Sequence, residues 1–317
     1  MIVSEKRFDV VIPTHNNLPE LKRCLAALER QTERRFRAIV CVDGSTDGTL
    51  EWLAEAAPSF PLAYRAHPNN EHRGWSATRN LALDLIDAPF VAFFDSDVEP
   101  LPDALAEHLA LLERERVLSS GGYVYRNAER NEWAENLLER GVYKYADGDS
   151  ISPKYFDTAN SAMPAEWFLE LGGFDERFGL NYGGEDTEFG LRLEARFGKI
   201  LRVNFAALVE ADYNADLDGA LRKRRNFGAN NFRLILATHP ERRDVYRAGF
   251  FLDSALGKVA RFALLRSPVA RAARGLLRIA PRFAKSPLVN YLSFYNIYRG
   301  KRDAERAEAK RRTAPNE

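Results

Sequence analysis

Apolar runs and polar, turn-forming clusters alternate along the first third of the chain. The run Phe8-Asp9-Val10-Val11-Ile12 is short and rich in branched and aromatic side chains, as a buried strand is. The segment after it opens at Asn17, carries Pro19 just inside, and places Leu21, Leu25 and Leu28 at helical spacing. A second unit repeats the order. Phe36-Arg37-Ala38-Ile39-Val40-Cys41-Val42 predicts a strand, Asp43-Gly44-Ser45-Thr46-Asp47-Gly48 a turn, and Leu50, Leu53 and Ala57 one face of a helix. A third unit predicts a helix over 76–86 and then the strand Phe90-Val91-Ala92-Phe93-Phe94. Strands parted by helical crossovers build a parallel sheet with right-handed connections. Ligands of such sheets bind beyond the carboxyl ends of the strands, where this pattern collects Thr14, Asp43, Asp95 and Asp97.

Past Leu101 the period changes. Residues 103–116 predict an amphipathic helix and 121–126 a strand, whereas 127–154 reads as irregular and rich in Tyr, Trp and Glu, suited to acceptor contacts. Short helices are expected over 165–171, closed by Gly172-Gly173, and over 186–197, closed by Gly198. Residues 200–203 and 206–210 predict two closing strands.

The 317 residues, 45% hydrophobic and 29% charged, suit a full α/β domain with a smaller appendage. Cys24 and Cys41 are too few for a disulfide framework and lack zinc-site spacing, so buried free thiols are expected. The five histidines are scattered, so no metal site is expected from them, and His15 is given at most a cleft-lining role. The first residues lack a basic-then-apolar leader pattern and no apolar stretch approaches the length of a span; the expectation is a cytoplasmic, non-spanning protein.

A net charge of +1 conceals an asymmetry. Residues 1–218 hold 23 basic and 38 acidic side chains, and residues 219–317 hold 23 and 7. That shift sets an expected boundary between an acidic catalytic body, 1–218, and a basic, largely helical extension, 219–317. The extension opens with Arg222-Lys223-Arg224-Arg225 and interleaves arginines with Phe250-Phe251-Leu252, Phe262-Ala263-Leu264-Leu265 and Leu276-Leu277. Such a mixture suits either peripheral attachment to an anionic membrane surface or packing on the body with a solvated basic face. No nucleic-acid recognition motif accompanies it, so nucleic acid is not an expected partner. Residues 305–317 are expected to fray.

Two acidic clusters carry the candidate chemistry. Asp95-Ser96-Asp97 follows an apolar strand, where carboxylates two apart can converge on one hard cation or divide between cation and sugar; local amide bonding in a turn is the plainer reading. Glu185-Asp186 follows Gly183-Gly184, so a glycine turn can present a carboxylate to an incoming hydroxyl, or the pair serves the helix dipole. Asp43 at a strand end can accept the imide N–H of a uracil-like base, and Thr46 or Asp47 can cap the next helix. Arg79, in a helix whose start follows Gly74, suits a diphosphate. Trp167 and Tyr182 could stack on an acceptor sugar or, for Trp167, pack in the core.

Val11-Ile12-Pro13-Thr14-His15-Asn16, Asp43-Gly44-Ser45-Thr46-Asp47-Gly48-Thr49, Arg79-Asn80, Asp95-Ser96-Asp97, Gly172-Gly173-Phe174-Asp175-Glu176 and Gly184-Glu185-Asp186 stand in this order. In order and approximate spacing the chain resembles the family 2 glycosyltransferases over about residues 8–232. The resemblance implies a GT-A fold, an α/β mixed sheet flanked by helices, here with a C-terminal helical extension. It also implies a nucleotide-diphosphate sugar donor, with UDP-sugar favoured, a glycan, glycolipid or lipid-linked acceptor, Mg²⁺ or Mn²⁺, and inversion at the anomeric carbon. By the same resemblance Pro13, Thr14 and Asp43 surround the base, Arg79 lies near base or diphosphate, and Asp95 faces ribose or sugar. Asp97 takes the metal with Asp95, Asp186 is the general base, and Glu185 lies on the substrate side. Val42 stands where relatives carry a first acidic residue, and Ala211 where many carry a metal-binding His, so either Asp212 or Glu210 substitutes or the ion is held chiefly by Asp97, the diphosphate and water. Two rivals accompany this reading: a sugar nucleotidyltransferase, whose glycine-rich phosphate loop Pro13-Thr14-His15-Asn16-Asn17 does not match, and a non-catalytic binding protein derived from a transferase.

Overall fold

The computed structural model describes residues 5–126, 132–140, 142–212 and 216–313, with the side chains of Arg140 and Thr313 left aside. The part of the irregular expectation that covers 127–131 and 141, and the tail end 314–317, lie outside the described residues.

The chain packs into two compact units. The first comprises residues 1–127, 145–180 and 185–213, the second 128–144, 181–184 and 214–317. The compositional boundary expected at Asp218 falls inside a helix of the second unit.

In the first unit the elements run β1 (Phe8–Thr14), α1 (Leu18–Leu28), β2 (Phe36–Val42), α2 (Thr49–Glu55), β3 (Leu62–Ala66), α3 (Trp75–Asn80), β4 (Phe90–Phe94), β5 (Val98–Pro100), α4 (Ala104–Arg114) and β6 (Leu118–Tyr125). After α5 (Glu132–Arg140), which belongs to the second unit, come β7 (Asn160–Pro164), α6 (Ala165–Glu170), α7 (Glu185–Phe197) and β8 (Leu201–Ala211). The eight strands form one mixed sheet in the order β3-β2-β1-β4-β7-β6-β8-β5. Strands β2, β1 and β4 are parallel, as the alternating pattern predicts, and β3, which it does not predict, joins them in parallel. Beyond β4 the sheet turns antiparallel through β7, and β5 pairs antiparallel with β8. Every residue of β1 is buried, which is why that strand reads as a nearly continuous apolar run. Its one charge, Asp9, is held by Arg37 Nε at 2.9 Å and by the backbone N–H groups of Asp87 and Ala88, both at 2.9 Å.

Several elements differ from the sequence expectation. The helix expected over 76–86 stops at Asn80, because the Asn80 side chain turns to bond both the N–H and the C=O of Phe174. A 3₁₀ turn, Leu83–Leu85, follows. Strand β3 is half-exposed at the sheet edge and β7 is inserted antiparallel; neither carries a strong local pattern. The two expected closing strands are one, β8, whose register against β6 shifts between Gly121 and Gly122. Asn160 spans that irregularity, donating to Gly122 O and Ala207 O at 2.9 Å each. Residues 132–140, expected to be irregular, are helical.

The second unit is helical. It adds α8 (Leu217–Ala229), α9 (Asn231–Thr238), α10 (Ala255–Leu264), α11 (Ser267–Leu277) and α12 (Arg282–Thr313). Helix α12 is its spine. Backbones of α8 and α12 approach so closely that a Cβ on Gly228 would lie 2.0 Å from Ile297 O, and Phe227, Phe232, Tyr246 and Tyr298 pack beside them. The expected fraying from residue 305 is not seen: α12 stays helical to Thr313, and Arg233 of α9 grips Glu308 at 2.6 Å. Among the described residues no helix is long and apolar enough to cross a membrane.

Candidate functional site

Two loops at the carboxyl ends of β1 and β2 clasp each other. Thr14 O accepts the Asp43 N–H at 2.9 Å, Asn16 N–H donates to Ser45 Oγ at 3.0 Å, and Thr46 N–H donates to Asn16 Oδ1 at 2.7 Å. Thr46 or Asp47 was expected to cap α2, but α2 opens on Gly48 without a side-chain cap. Asp47 joins the two helix starts, Oδ2 accepting the Leu18 N–H of α1 at 2.9 Å and Oδ1 the Thr49 hydroxyl of α2 at 2.5 Å. Pro13 and Thr14 are buried at the end of β1, and Thr14 Oγ1 has no hydrogen-bond partner.

Asp43 is fully buried and heavily engaged. Its carboxylate accepts the Arg73 N–H at 2.6 Å and the Gly74 N–H at 3.0 Å, and His72 Nδ1 lies 2.9 Å from Oδ2. His15 Nδ1 meets the Asp43 carbonyl, and the His15 and His72 rings lie 4.3 Å apart. The expectation that the histidines do not cluster is therefore corrected. His15 and His72 are distant in sequence, but the 71–74 loop folds over the Asp43 turn and brings their ligand atoms and that of Asp43 within 4.8 Å of one another. Imidazole and carboxylate are a donor set that a borderline-soft divalent ion accepts. His108 is a core histidine, bonded to Ser119 Oγ at 2.8 Å and Asn160 Oδ1 at 2.9 Å; burial pushes it down to about 4, so it is neutral.

Gly74 makes the 71–74 loop possible. Its φ is +85°, and a Cβ there would stand 2.2 Å from Gly179 O. Gly74→Ala is expected to lower stability by about 3 kcal/mol or more, because left-handed strain adds to a backbone clash. Thermal unfolding of the variant checks this, and an unchanged midpoint would show that the loop is not held as described.

The second cluster lies at the end of β4. Arg79, on the buried face of α3, donates through Nη2 to Asp95 Oδ1 at 2.8 Å, and its guanidinium lies over the Phe174 ring at 5.6 Å. Its Nε and Nη1 are buried with no hydrogen-bond partner. Burial works against the charge, but the carboxylates of Asp95, Asp186 and Glu185 outweigh it and hold the proton more firmly than usual.

The carboxylates of Asp95, Asp157, Glu185 and Asp186 feel this cation, and Asp97 in turn feels Asp95 and Asp157. Asp97 reaches solvent, yet the protein packed around it and then the charge of Asp95 push its carboxyl up to about 6. Burial, followed by repulsion from Asp95, raises Asp157. Burial raises Glu185 although Arg79 pulls it down, and its Oε2 is buried with no partner. Asp186 is raised well above the carboxylate range by burial and then by Glu185, and its Oδ1 accepts the Thr158 hydroxyl at 2.8 Å. Gly183 and Gly184, at φ +71° and +103°, make the left-handed turn that sets Glu185 and Asp186 as the first residues of α7, one residue earlier than expected. Asp97, Asp157, Glu185 and Asp186 are each raised by burial and by neighbouring carboxylates, so the cluster is a site that favours positive charge.

Asp157 and Thr158 escaped the sequence reading. They lie in a loop before β7, a strand with no clear pattern of its own; an Asp-Thr pair ahead of a short apolar run was the one available signal. Asp212 is placed differently from the other expected ligands. The ladder sets Ala211 opposite Val98, so Asp97 and Asp212 extend from the same end of the β5·β8 pair. The Asp212 side chain, however, pairs with Arg126 Nε at 3.3 Å. Arg126 also reaches Glu99 at 3.0 Å and Glu210 at 3.5 Å, neutralising two carboxylates that face each other across the ladder. Trp167 is core, stacked on Phe197 at 4.8 Å, and so is no platform for a sugar. Tyr182 is exposed, with Lys223 over its ring.

The family model described as glycosyl transferase family 2 matches residues 9–170, and that of the N-terminal domain of galactosyltransferase matches residues 142–213. Validoxylamine A glucosyltransferase of Streptomyces hygroscopicus subsp. jinggangensis is 33% identical over 216 residues, covering 59% of this chain and 51% of that protein. Chondroitin synthase of Escherichia coli is 27% identical over 218 residues, covering 58% of this chain and 32% of that protein. The chain spans about half the length of the first curated relatives it matches. Among solved structures, a mannosyltransferase of Pyrobaculum calidifontis in complex with GDP-Man and Mn²⁺ superposes with a TM-score of 0.62 at 20% identity, covering 94% of this chain and 88% of that one. S. aureus TarS in complex with UDP-GlcNAc gives 0.56 at 17% identity, covering 95% and 92%. These two likenesses show a shared GT-A fold.

Proposed function

From the premise that this chain belongs to glycosyl transferase family 2 and is a glycosyltransferase, we propose an inverting enzyme that moves a sugar from a nucleotide diphosphate, UDP favoured, to a glycan, glycolipid or lipid-linked acceptor. The observation that carries the reading is the gathering of Asp95, Asp157, Glu185 and Asp186 about Arg79, with Asp97 beside Asp95. GDP-Man and UDP-GlcNAc are held by the two structural neighbours, which supports a nucleotide-sugar donor here.

Asp186 acts as the base. Its raised affinity for a proton suits it to take one from an acceptor hydroxyl as that oxygen attacks the anomeric carbon. The new C–O bond forms as the bond to the diphosphate breaks on the opposite face, which inverts the centre and releases the nucleoside diphosphate. Thr158 fixes the Asp186 carboxyl through Oδ1 and leaves Oδ2 for the hydroxyl. Arg79 holds Asp95 in place through Nη2.

The excess of carboxylates over cations fits a divalent ion. Asp97 with Asp95 would hold Mg²⁺ or Mn²⁺, which when bound neutralises charge on the departing diphosphate. Asp212 could join only after its ion pair with Arg126 opens.

The test is release of nucleoside diphosphate from UDP-, GDP- and dTDP-sugars with Mn²⁺ and an acceptor panel. Turnover with one donor class is expected. EDTA should lower the rate by roughly two orders of magnitude, reversed by added Mn²⁺. Nucleotide binding by calorimetry with no release from any donor would replace this reading by that of a binding protein.

A further inference from the structure

Between Asp253 and Asp303 the chain carries eleven Lys and Arg side chains and no Asp or Glu. This stretch builds α10, α11 and most of α12. A surface helix ordinarily has one apolar stripe, turned toward its core. Helix α11 has two, and α10 turns its apolar side chains to solvent.

In α11, Ala270, Ala273 and Leu277 are buried against the unit. At 3.6 residues per turn, Val269, Ala272 and Leu276 form a separate stripe. All three are exposed, and the apolar surface continues past the helix end through Ile279, 80% exposed, and Phe283, 82% exposed. In α10 Gly257 faces inward, while Leu256, Val259 and Phe262 are 70%, 63% and 69% exposed. Lys258 and Arg261 occupy the remaining side of α10.

That basic side is one wall of a groove of about 590 Å³ whose other wall is α12. Lys258, Arg261 and Arg266 face Arg299, Arg302 and Arg306 across it, and Glu305, paired with Lys301, also lines it. Arg299 and Arg302 approach Asp303 at 3.6 and 3.7 Å, and Arg266 lies over the Phe262 ring at 3.8 Å. Lys258, Arg261 and Arg306 have no acidic partner among the described residues. Phe262 lines the groove and also stands in the bare apolar surface, so the two features meet.

We propose that α10, α11 and this groove form a docking surface for an anionic phospholipid bilayer, with lipid phosphates in the groove and the bare apolar side chains in the boundary between headgroups and acyl chains. Charge complementarity selects the occupant. Nucleic acid would satisfy the cations but leave Leu256, Ile279 and Phe283 in water, whereas an anionic bilayer receives both sets. The inference stands apart from the sugar-transfer reading and rests on none of its residues.

Sedimentation of the full chain with vesicles tests it. Binding to phosphatidylcholine mixed with phosphatidylglycerol is expected, and not to phosphatidylcholine alone, with loss on raising salt. The triple variant Lys258→Ala, Arg261→Ala and Arg306→Ala should partition about a hundredfold more weakly, since each cation near an anionic surface strengthens binding about fivefold. A second variant, Leu256→Asn, Ile279→Asn and Phe283→Asn, changes exposed side chains, should keep the wild-type circular dichroism and thermal midpoint, and should lose at least about tenfold. Equal binding to neutral and anionic vesicles, or full binding by either folded variant, would overturn the proposal. So would thermal stabilisation by inorganic phosphate or RNA with no sedimentation on either vesicle, which would assign the groove to a soluble anion.

Discussion

The Asp186→Asn protein is expected to bind donor within a few-fold of wild type and to turn over about 10²–10⁴ times more slowly, the usual worth of a general base. Asn keeps an oxygen for the Thr158 hydroxyl, so the loop and the start of α7 are retained while proton acceptance is lost. In the wild type, kcat should rise with pH along an acid limb whose midpoint lies above the ordinary carboxylate range. Burial and Glu185 hold the Asp186 proton to higher pH, and the limb belongs to the coupled group rather than to one residue. Stability runs the opposite way. A carboxyl whose folded pKa is raised gives the folded state more bound protons than the unfolded one, so stability is greatest below the unfolded value and declines as pH rises through the folded value. Removing the buried charge in Asp186→Asn should therefore raise the thermal midpoint at neutral pH and leave it nearly unchanged in acid. Nucleoside diphosphate release, donor titration and melts at the two pH values measure the three effects. Full turnover by the variant would move the base elsewhere, with Asp157 and Glu185 the nearest carboxylates.

The second large effect is expected at Arg79. Replacing it with Met retains apolar bulk against Phe174 but takes away the charge that Asp95, Glu185 and Asp186 share. Breaking a buried pair from one side typically costs about 3–5 kcal/mol, because the partner charge stays buried without compensation. Here several partners are left at once, so Arg79→Met is expected to unfold at much lower urea than wild type at neutral pH. In acid the carboxyls take up protons and the deficit should narrow. Combining Arg79→Met with Asp186→Asn should recover part of the loss, a coupling that a double-mutant cycle reads directly. A urea midpoint equal to wild type at neutral pH would show that the cluster does not depend on Arg79.

These expectations rest on residues of unequal visibility in sequence. Asp43, Asp95, Asp97 and Asp186 were legible because each stands at a strand end or helix start whose pattern is local, and Arg79 because it lies in the short helix that follows Gly74. Their meaning came from order along the chain. Asp157 was not legible, because it precedes β7, an antiparallel strand held by β4 and β6, which are distant in sequence. The pairing of His15 with His72 was hidden for a similar reason. Only the close packing of the 71–74 loop on the Asp43 turn, where a Cβ on Gly44 would lie 2.7 Å from His72 N, brings the rings together. The break of α3 at Asn80 has a tertiary cause as well, since residues 76–86 keep helical spacing and the interruption comes from bonds to Phe174.

Local chemistry along the chain determined strands β1, β2 and β4 of the parallel half of the sheet, the positions of both acidic clusters, the glycine turn before Glu185, and the bias of charge toward the C-terminal helices. Those features follow from short-range rules: side-chain period, φ preference and capping. The tertiary structure alone decided which carboxylates share Arg79, that Asp212 pairs with Arg126, and which apolar side chains of α10 and α11 remain bare. The physical reason is that burial and charge coupling depend on distances between segments far apart in sequence, and no local pattern encodes those distances.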